Sequence, residues 1–306
     1  MLVFAVFCQM RRSCALLSRG LSLFIGFSLN RLIPARFCVM ALRPGQRSEA
    51  WALFPRMRSI EKPVRVQKYL ADMGICSRRV AEGHIKDGAV TVNGKLAQLG
   101  DKVEPGIDEV VFEGQRIRHR KQGQVVFALN KPKGYICSNN DPYNERTVFD
   151  LIPKDYGTMR LFCAGRLDKD SEGLVILTND GDLANQLMHP SNLVVKRYHV
   201  SLKQPYPRAK IAKLVKGVAI EGERLKIEGA QLLGSQSKDA SKELDVFMHH
   251  GKKREIRRLF MVLGYDVKRL KRYQIGRFSI KGLPKGVGVI LQQNDIRKLF
   301  QHDESL

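Results

Sequence analysis

From residue 64 onward the apolar positions follow two rhythms. Val66, Tyr69, Leu70 and Met73 fall at i, i+3, i+4 and i+7, the spacing of one helical face. That predicts a helix over Val64 to Met73, ended by Gly74. Ser77 can cap a second helix, Arg78 to Lys86, closed by Gly88. Val90-Thr91-Val92 then alternates as a strand, and Asn93-Gly94 is a strong hairpin turn. Gly100 and Pro105-Gly106 punctuate further short strands up to Ile117. After a polar stretch the rhythm changes. Val125 to Leu129 is a continuous apolar strand, Asn130 to Gly134 a turn, and Tyr135 to Ser138 resumes the strand. Leu161 to Ala164 and Leu174 to Leu177 are further apolar strands, and Thr178-Asn179-Asp180-Gly181 turns into a helix from Asp182 to Met188. Tyr198, Val200 and Leu202 alternate, as do Leu244, Val246 and Met248, and Arg254 to Leu263 is a helix with Ile256, Leu259, Phe260 and Leu263 on one face. The fold class is α+β: a small ααβ module over 62–118, a linker over 119–124, and a mixed, mostly antiparallel-sheet domain over 125–301.

Charge narrows the choice of partner. The 306 residues carry 53 Lys and Arg against 30 Asp and Glu, a formal +23, which points to a polyanion, most simply nucleic acid. Residues 1–61 form a basic extension outside the fold, with nine Arg and one acid up to residue 60. Three readings stay open for it: a start codon placed too early, with Met40 or Met57 as the true start; a disordered basic arm; or an organelle-targeting segment, whose Arg-rich, acid-poor composition it shares. The six Cys include no CxxC pair, which excludes a disulfide scaffold or a zinc ribbon, and the thiols read as reduced and intracellular. No run of 18 apolar residues offers a membrane span.

Three features are candidates for chemistry. Asp168 follows an apolar strand, with Arg166 close by and Lys169 and Asp170 after it; by position it is either a surface turn or a held nucleophile. Tyr198 lies on the face of its strand that also carries Val200, where a lone Tyr is ordinarily core. Lys252, Lys253, Arg254, Arg257 and Arg258 crowd a helix start, as a phosphate-facing patch or a solvated face. Arg78 and Arg79 occupy the first turn of their helix, against its dipole, a placement that suits a phosphate ligand.

Residues 62–118, through Lys68-Tyr69-Leu70, Ser77-Arg78-Arg79, Ile85, Gly88 and Val90 to Gly94, resemble the small RNA-binding domain shared by a ribosomal small-subunit protein and tyrosyl-tRNA synthetases. Gly165-Arg166-Leu167-Asp168-Lys169-Asp170-Ser171-Glu172-Gly173-Leu174, then Thr178 to Gly181, Lys196-Arg197-Tyr198-His199-Val200 and Arg254-Glu255-Ile256-Arg257-Arg258, resemble the pseudouridine synthases. Asn130-Lys131-Pro132-Lys133-Gly134 matches the first motif of their ribosomal-RNA branch, and Asn140-Asp141-Pro142 with Leu183 to Ser191 looks most like its B-type large-subunit members. The resemblance implies isomerisation of uridine to pseudouridine in ribosomal RNA, most simply large-subunit RNA, without cofactor or metal. It implies Asp168 as the essential carboxylate, acting as nucleophile or base, Tyr198 stacking on the flipped uracil, and Arg257 pairing with Asp168. Arg166 would guard the gap left by the base, and Arg78, Arg79, Lys131, Lys252, Lys253, Arg254 and Arg258 would hold RNA. The expected partner is ribosomal RNA or an assembly intermediate, the expected state a monomer without membrane contact, and the expected location the cytoplasm, or an organelle if residues 1–61 are a transit peptide.

The chain departs from the family at His250 to Glu255, where relatives carry Glu-Gly-Arg-Asn-Arg-Gln, and it lacks the Trp often found near Gly286 to Ile290. Rival readings are a non-catalytic RNA-binding assembly protein and a metal-dependent nuclease. Asp141, Asp168, Asp170, Asp180 and Asp182 form no compact ligand motif, and His249 and His250, adjacent on a strand, face opposite sides. Gly282, Gly286 and Gly288 lack the Lys-Ser/Thr of a phosphate loop. Cys137 and Cys163, isolated in apolar strands, read as core.

Overall fold

The structure is a computed structural model that describes residues 62–119, 123–139, 145–157, 159–220, 222–234 and 239–301. The expectations for residues 1–61, for residues 120–122 of the linker and for Asn140-Asp141-Pro142 lie outside the described residues.

The small module contains β1 (Val64–Arg65), α1 (Val66–Asp72), α2 (Arg78–Lys86), β2 (Val90–Val92), β3 (Lys95–Leu96), β4 (Lys102–Val103), β5 (Val110–Phe112) and β6 (Gln115–Arg116). The first helix starts later than its periodicity predicts, because Val64 and Arg65 pair with Val103 and Lys102. α2 begins where Ser77 predicts: the Ser77 hydroxyl accepts from the Val80 N–H at 3.2 Å. Asn93 and Gly94 both adopt positive φ, 50° and 78°, which is what a two-residue hairpin turn requires. Val66, Tyr69, Leu70, Ala81, Ile85 and Val90 close one small core.

The second domain contains β7 (Val126–Lys131), β8 (Phe162–Ala164), β9 (Glu172–Thr178), α3 (Gly181–Met188), β10 (Lys196–Pro207), α4 (Ile211–Lys216), β11 (Val218–Ile220), β12 (Glu223–Leu225), β13 (Gly229–Leu233), β14 (Ala240–Met248), α5 (Glu255–Val262), β15 (Val267–Ile275), β16 (Phe278–Ser279), β17 (Gly288–Ile290) and α6 (Gln293–Lys298). The main sheet runs β13-β14-β10-β15-β9-β7-β17, with β8 on β9 and β16 on β15. β15 and β9 are parallel and the other pairs antiparallel, so the sheet is mixed and mostly antiparallel, as expected. Tyr135 to Ser138 does not resume a strand; Ile136 makes a single bridge to Thr147.

β7 and β9 read as unbroken apolar runs because both faces of the sheet are covered there. On one face Val126, Ala128, Leu174 and Ile176 pack under Leu183, Ala184 and Leu187 of α3. On the other, Phe127, Leu129 and Leu177 meet Val148 and Leu161, while Val175, Tyr198, Val200, Val246 and Leu270 meet Ile256, Leu259 and Phe260 of α5. The candidate chemistry lies on this second face. α3 starts where the Asp180 carboxylate caps it, accepting from the N–H groups of Asp182 and Leu183 at 2.8 and 3.0 Å. Lys68 of α1 reaches Asp182 at 3.0 Å.

Candidate active site

One row across the sheet organises the site. Val246 pairs with Tyr198, Tyr198 with Arg272, Arg272 with Gly173, and Gly173 with Lys131. Residues opposite one another in a ladder point to the same face, so Tyr198, Arg272 and Lys131 share a floor, with Gly173 between the two cations. Gly173 has φ +107°, and a Cβ there would stand 2.1 Å from the Arg272 carbonyl oxygen. Its neighbour Glu172 fastens the parallel junction. Burial pushes that carboxyl up, but hydrogen bonds from Lys285 and Arg269 outweigh it and hold it below its ordinary value.

Asp168 stands on the loop from β8 to β9, against the Lys131 end of this floor, and Leu167 before it is buried in the same cluster as Tyr198. The loop is clamped from several sides. The Lys131 ammonium donates to the carbonyls of Ser171 (2.6 Å), Pro132 (3.1 Å), Asp168 (3.1 Å) and Lys169 (3.4 Å). Gly134 N–H donates to Lys169 O at 2.9 Å, and Lys169 pairs with Glu145 at 2.9 Å. From α5, Arg257 donates to Asp170 O at 3.0 Å and Arg254 stands 3.6 Å from the Asp170 carboxylate. The half-buried Asp168 carboxylate itself takes no hydrogen bond among the described residues.

Two expectations need correction. Lys131, expected to hold RNA, is fully buried, and its charge is spent on the backbone of the Asp168 loop. Burial pulls its ammonium below the ordinary lysine value, against the attraction of Cys137, Asp168, Asp170 and Glu172. Arg257, expected to pair with Asp168, forms no ion pair with it. It grips the Asp170 and Val267 carbonyls. Burial, with Arg254, pulls its guanidinium down, and Asp170 and Asp168 oppose that shift.

Tyr198 is 6% exposed, with its ring in the core cluster of Val200, Val246 and Leu167. Arg166, Arg79, Lys252, Lys253 and Arg254 are exposed. Arg258 and Lys252 share Glu223, at 2.9 and 3.4 Å, which fixes the start of α5 against β12. The Arg78 guanidinium would stand 3.4 Å from a Cβ on Gly181, so it lies against the first residue of α3. Sequence reasoning missed two features. Cys137 and Cys163 are not isolated: they hydrogen-bond each other, which favours ionisation of Cys137 and disfavours that of Cys163, and Cys137 accepts from the Leu167 N–H at 3.5 Å. Arg272 was also missed, although Leu270 and Arg272 share the alternation that the strand requires.

A mixed sheet with a clamped aspartate loop, a buried tyrosine two strands away and a basic helix start, preceded by a small basic module, is the setting in which comparison with known proteins identifies an RNA-modifying enzyme. Residues 125–261 match the family described as RNA pseudouridylate synthase, and residues 64–107 match the S4 domain. The chain belongs to the pseudouridine synthase family, and is an isomerase with an S4 RNA-binding domain. Ribosomal large subunit pseudouridine synthase B of Vibrio cholerae is 38% identical over 78% of this chain and 75% of its own length. The protein of the same name from Bacillus subtilis is 35% identical over 77% of this chain and 95% of its own. A crystal structure of a pseudouridylate synthase, 29% identical, superposes with a TM-score of 0.54 over 77% of this chain and 99% of its own.

Proposed function

We propose that the protein converts one or a few uridines of large-subunit ribosomal RNA to pseudouridine, as a monomer, with Asp168, Tyr198 and Arg257 at the centre of the reaction. The observation that carries this reading is the Asp168 loop: its backbone is held by Lys131, Gly134 and Arg257, while its carboxylate takes no hydrogen bond among the described residues. A group held this way meets a substrate without reorganising. The two relatives named for large-subunit RNA support the choice of substrate.

The target uridine must leave its stack, which costs a few kcal/mol. Stacking on the Tyr198 ring returns about 1–3 kcal/mol. Asp168 then acts on the ribose, as nucleophile at C1′ or as base, while the C1′–N1 bond breaks. Arg257, from α5, holds the loop that carries Asp168, through the Asp170 carbonyl. The uracil turns and C5 bonds to C1′ as the Asp168–C1′ bond breaks, or as Asp168 returns the proton it took; the C5 proton then leaves and N1 gains one. Atoms and electrons balance, so the isomerisation calls for no redox partner. Arg166, Arg79, Lys253 and Arg254 supply sequence-independent grip on phosphates.

The test is a carbodiimide primer-extension map of pseudouridine in ribosomal RNA from cells with and without the gene. Loss of one or a few large-subunit signals is expected. Loss from the small-subunit RNA would keep the chemistry and overturn the substrate, and no loss at all would overturn the function. Asp168→Asn should abolish turnover and leave RNA binding intact; turnover within about tenfold of wild type, far below the usual cost of losing an essential group, would remove Asp168 from its role.

A further inference from the structure

We propose that Arg272 is a catalytic residue that donates hydrogen bonds to the carbonyl oxygens of the uracil as it leaves the ribose. The assignment rests on the functional reading above.

Arg272 is 3% exposed. Its Nε donates to the Leu174 carbonyl at 2.7 Å, which fixes the plane of the guanidinium. Its Nη2 is buried without a hydrogen-bond partner, and among the described residues no carboxylate pairs with it. The side chain shares the floor with Tyr198, the residue opposite it in the ladder. Gly173, its other neighbour, adds no side chain that could fill the space between Arg272 and Lys131. Arg272 therefore lies beside the tyrosine, in the row that continues through Gly173 to Lys131, whose ammonium holds the Asp168 loop. Lys196, two residues along β10, is a half-buried cation whose ammonium donates to the Val194 and His249 carbonyls at 3.2 and 2.9 Å.

A buried guanidinium with an open N–H is costly unless an acceptor visits it. The reaction supplies one. When C1′–N1 breaks, its electron pair moves onto the uracil and spreads over N1, O2 and O4. The C1′ centre is captured by Asp168 or relieved by proton loss from C2′. The charge is discharged when C5 bonds to C1′ as the Asp168–C1′ bond breaks, or as C2′ takes its proton back, and the C5 proton then leaves while N1 is protonated. A fixed donor in a dry site is strongest where such charge develops. The ring stacked on Tyr198 has its oxygens in its own plane, beside the ring face, where a residue adjacent to Tyr198 in the sheet can reach them.

The test compares wild type, Arg272→Met and Arg272→Lys on an RNA fragment carrying the mapped uridine, and on the same fragment with 5-fluorouridine there. Single-turnover loss of the N-glycoside is followed by nuclease digestion and mass spectrometry, with RNA affinity and thermal melting measured alongside. 5-Fluorouracil is the more acidic base and leaves with less help. Arg272→Met should slow uridine about 100- to 1000-fold, the cost of removing one donor to a developing oxyanion. It should slow 5-fluorouridine by less than about tenfold, with RNA affinity unchanged. Equal losses on both bases, or a loss of affinity alone, would overturn the assignment. If Arg272→Met does not fold, Arg272→Lys carries the same comparison, because it keeps the cation and loses the fork. Wild type inert on both fragments would overturn the functional reading itself, and this assignment with it.

Discussion

Lys131→Met tests whether the site is built from its backbone upward. The substitution keeps an unbranched chain in the buried slot and removes only the ammonium. Four carbonyls then lose a donor, the nearest at 2.6 Å from Ser171 and 3.1 Å from Asp168. A hydrogen bond to a charged group contributes about 1.5–3 kcal/mol. Two such losses come to about 3–6 kcal/mol, and the relief of no longer burying an ammonium offsets part of that. A net cost of about 2–4 kcal/mol remains, or a Tm drop of about 4–16 °C for a domain of this size. The freed loop also moves Asp168, and a displacement near 1 Å costs about 100-fold in rate. The assays are thermal melting, kcat on ribosomal RNA and RNA affinity by filter binding. Expected are lower Tm, lower kcat and unchanged affinity. A variant with wild-type Tm and kcat but weakened RNA binding would refute the reasoning and restore Lys131 to the RNA surface.

Four further outcomes follow from the same geometry. Gly173→Ala puts a Cβ 2.1 Å from the Arg272 carbonyl at a φ of +107°, so it should part β9 from β15; soluble yield and melting should fall well below those of Lys131→Met. Asp180→Ala removes the cap of α3 and should cost about 1 kcal/mol in chemical denaturation. Burial pulls Lys196 down to about 8, so from about pH 8 toward the ordinary lysine value the unfolded chain binds more protons than the folded one. Stability should therefore gain a rising contribution with pH across that window, and Lys196→Met should remove it in denaturant titrations at pH 8 and pH 9.5. Replacing Arg79 and Lys253 together should weaken RNA binding across all sequences and flatten its log–log salt dependence by about 0.7–0.9 per lost contact, leaving Tm in place.

The parts of this protein that were legible in the sequence are those set by local rules. Ser77 and Asp180 mark helix starts because a side-chain oxygen one step ahead of a helix has one favoured use. Tyr198, Val200 and Leu202 announce a half-buried strand by period. What stayed hidden depends on register between distant segments. Lys131 sits in a run of basic motif residues and looks like its exposed neighbour Lys133; only the pairing of β7 with β9 puts it under the Asp168 loop. Arg272 alternates with Leu270 on a strand otherwise rich in solvent-facing cations, and its burial follows from Tyr198 on one side and Gly173 on the other. Gly173 is the link between the two. In the sequence it is one glycine after Ser171-Glu172, yet it is the position where β15 approaches β9 too closely for any side chain. That approach brings a strand from late in the chain against the Asp168 loop from the middle of it. The cations of the floor thus converge through a backbone contact, not through a motif, so the family resemblance could name the carboxylate and the tyrosine but not the groups beneath them.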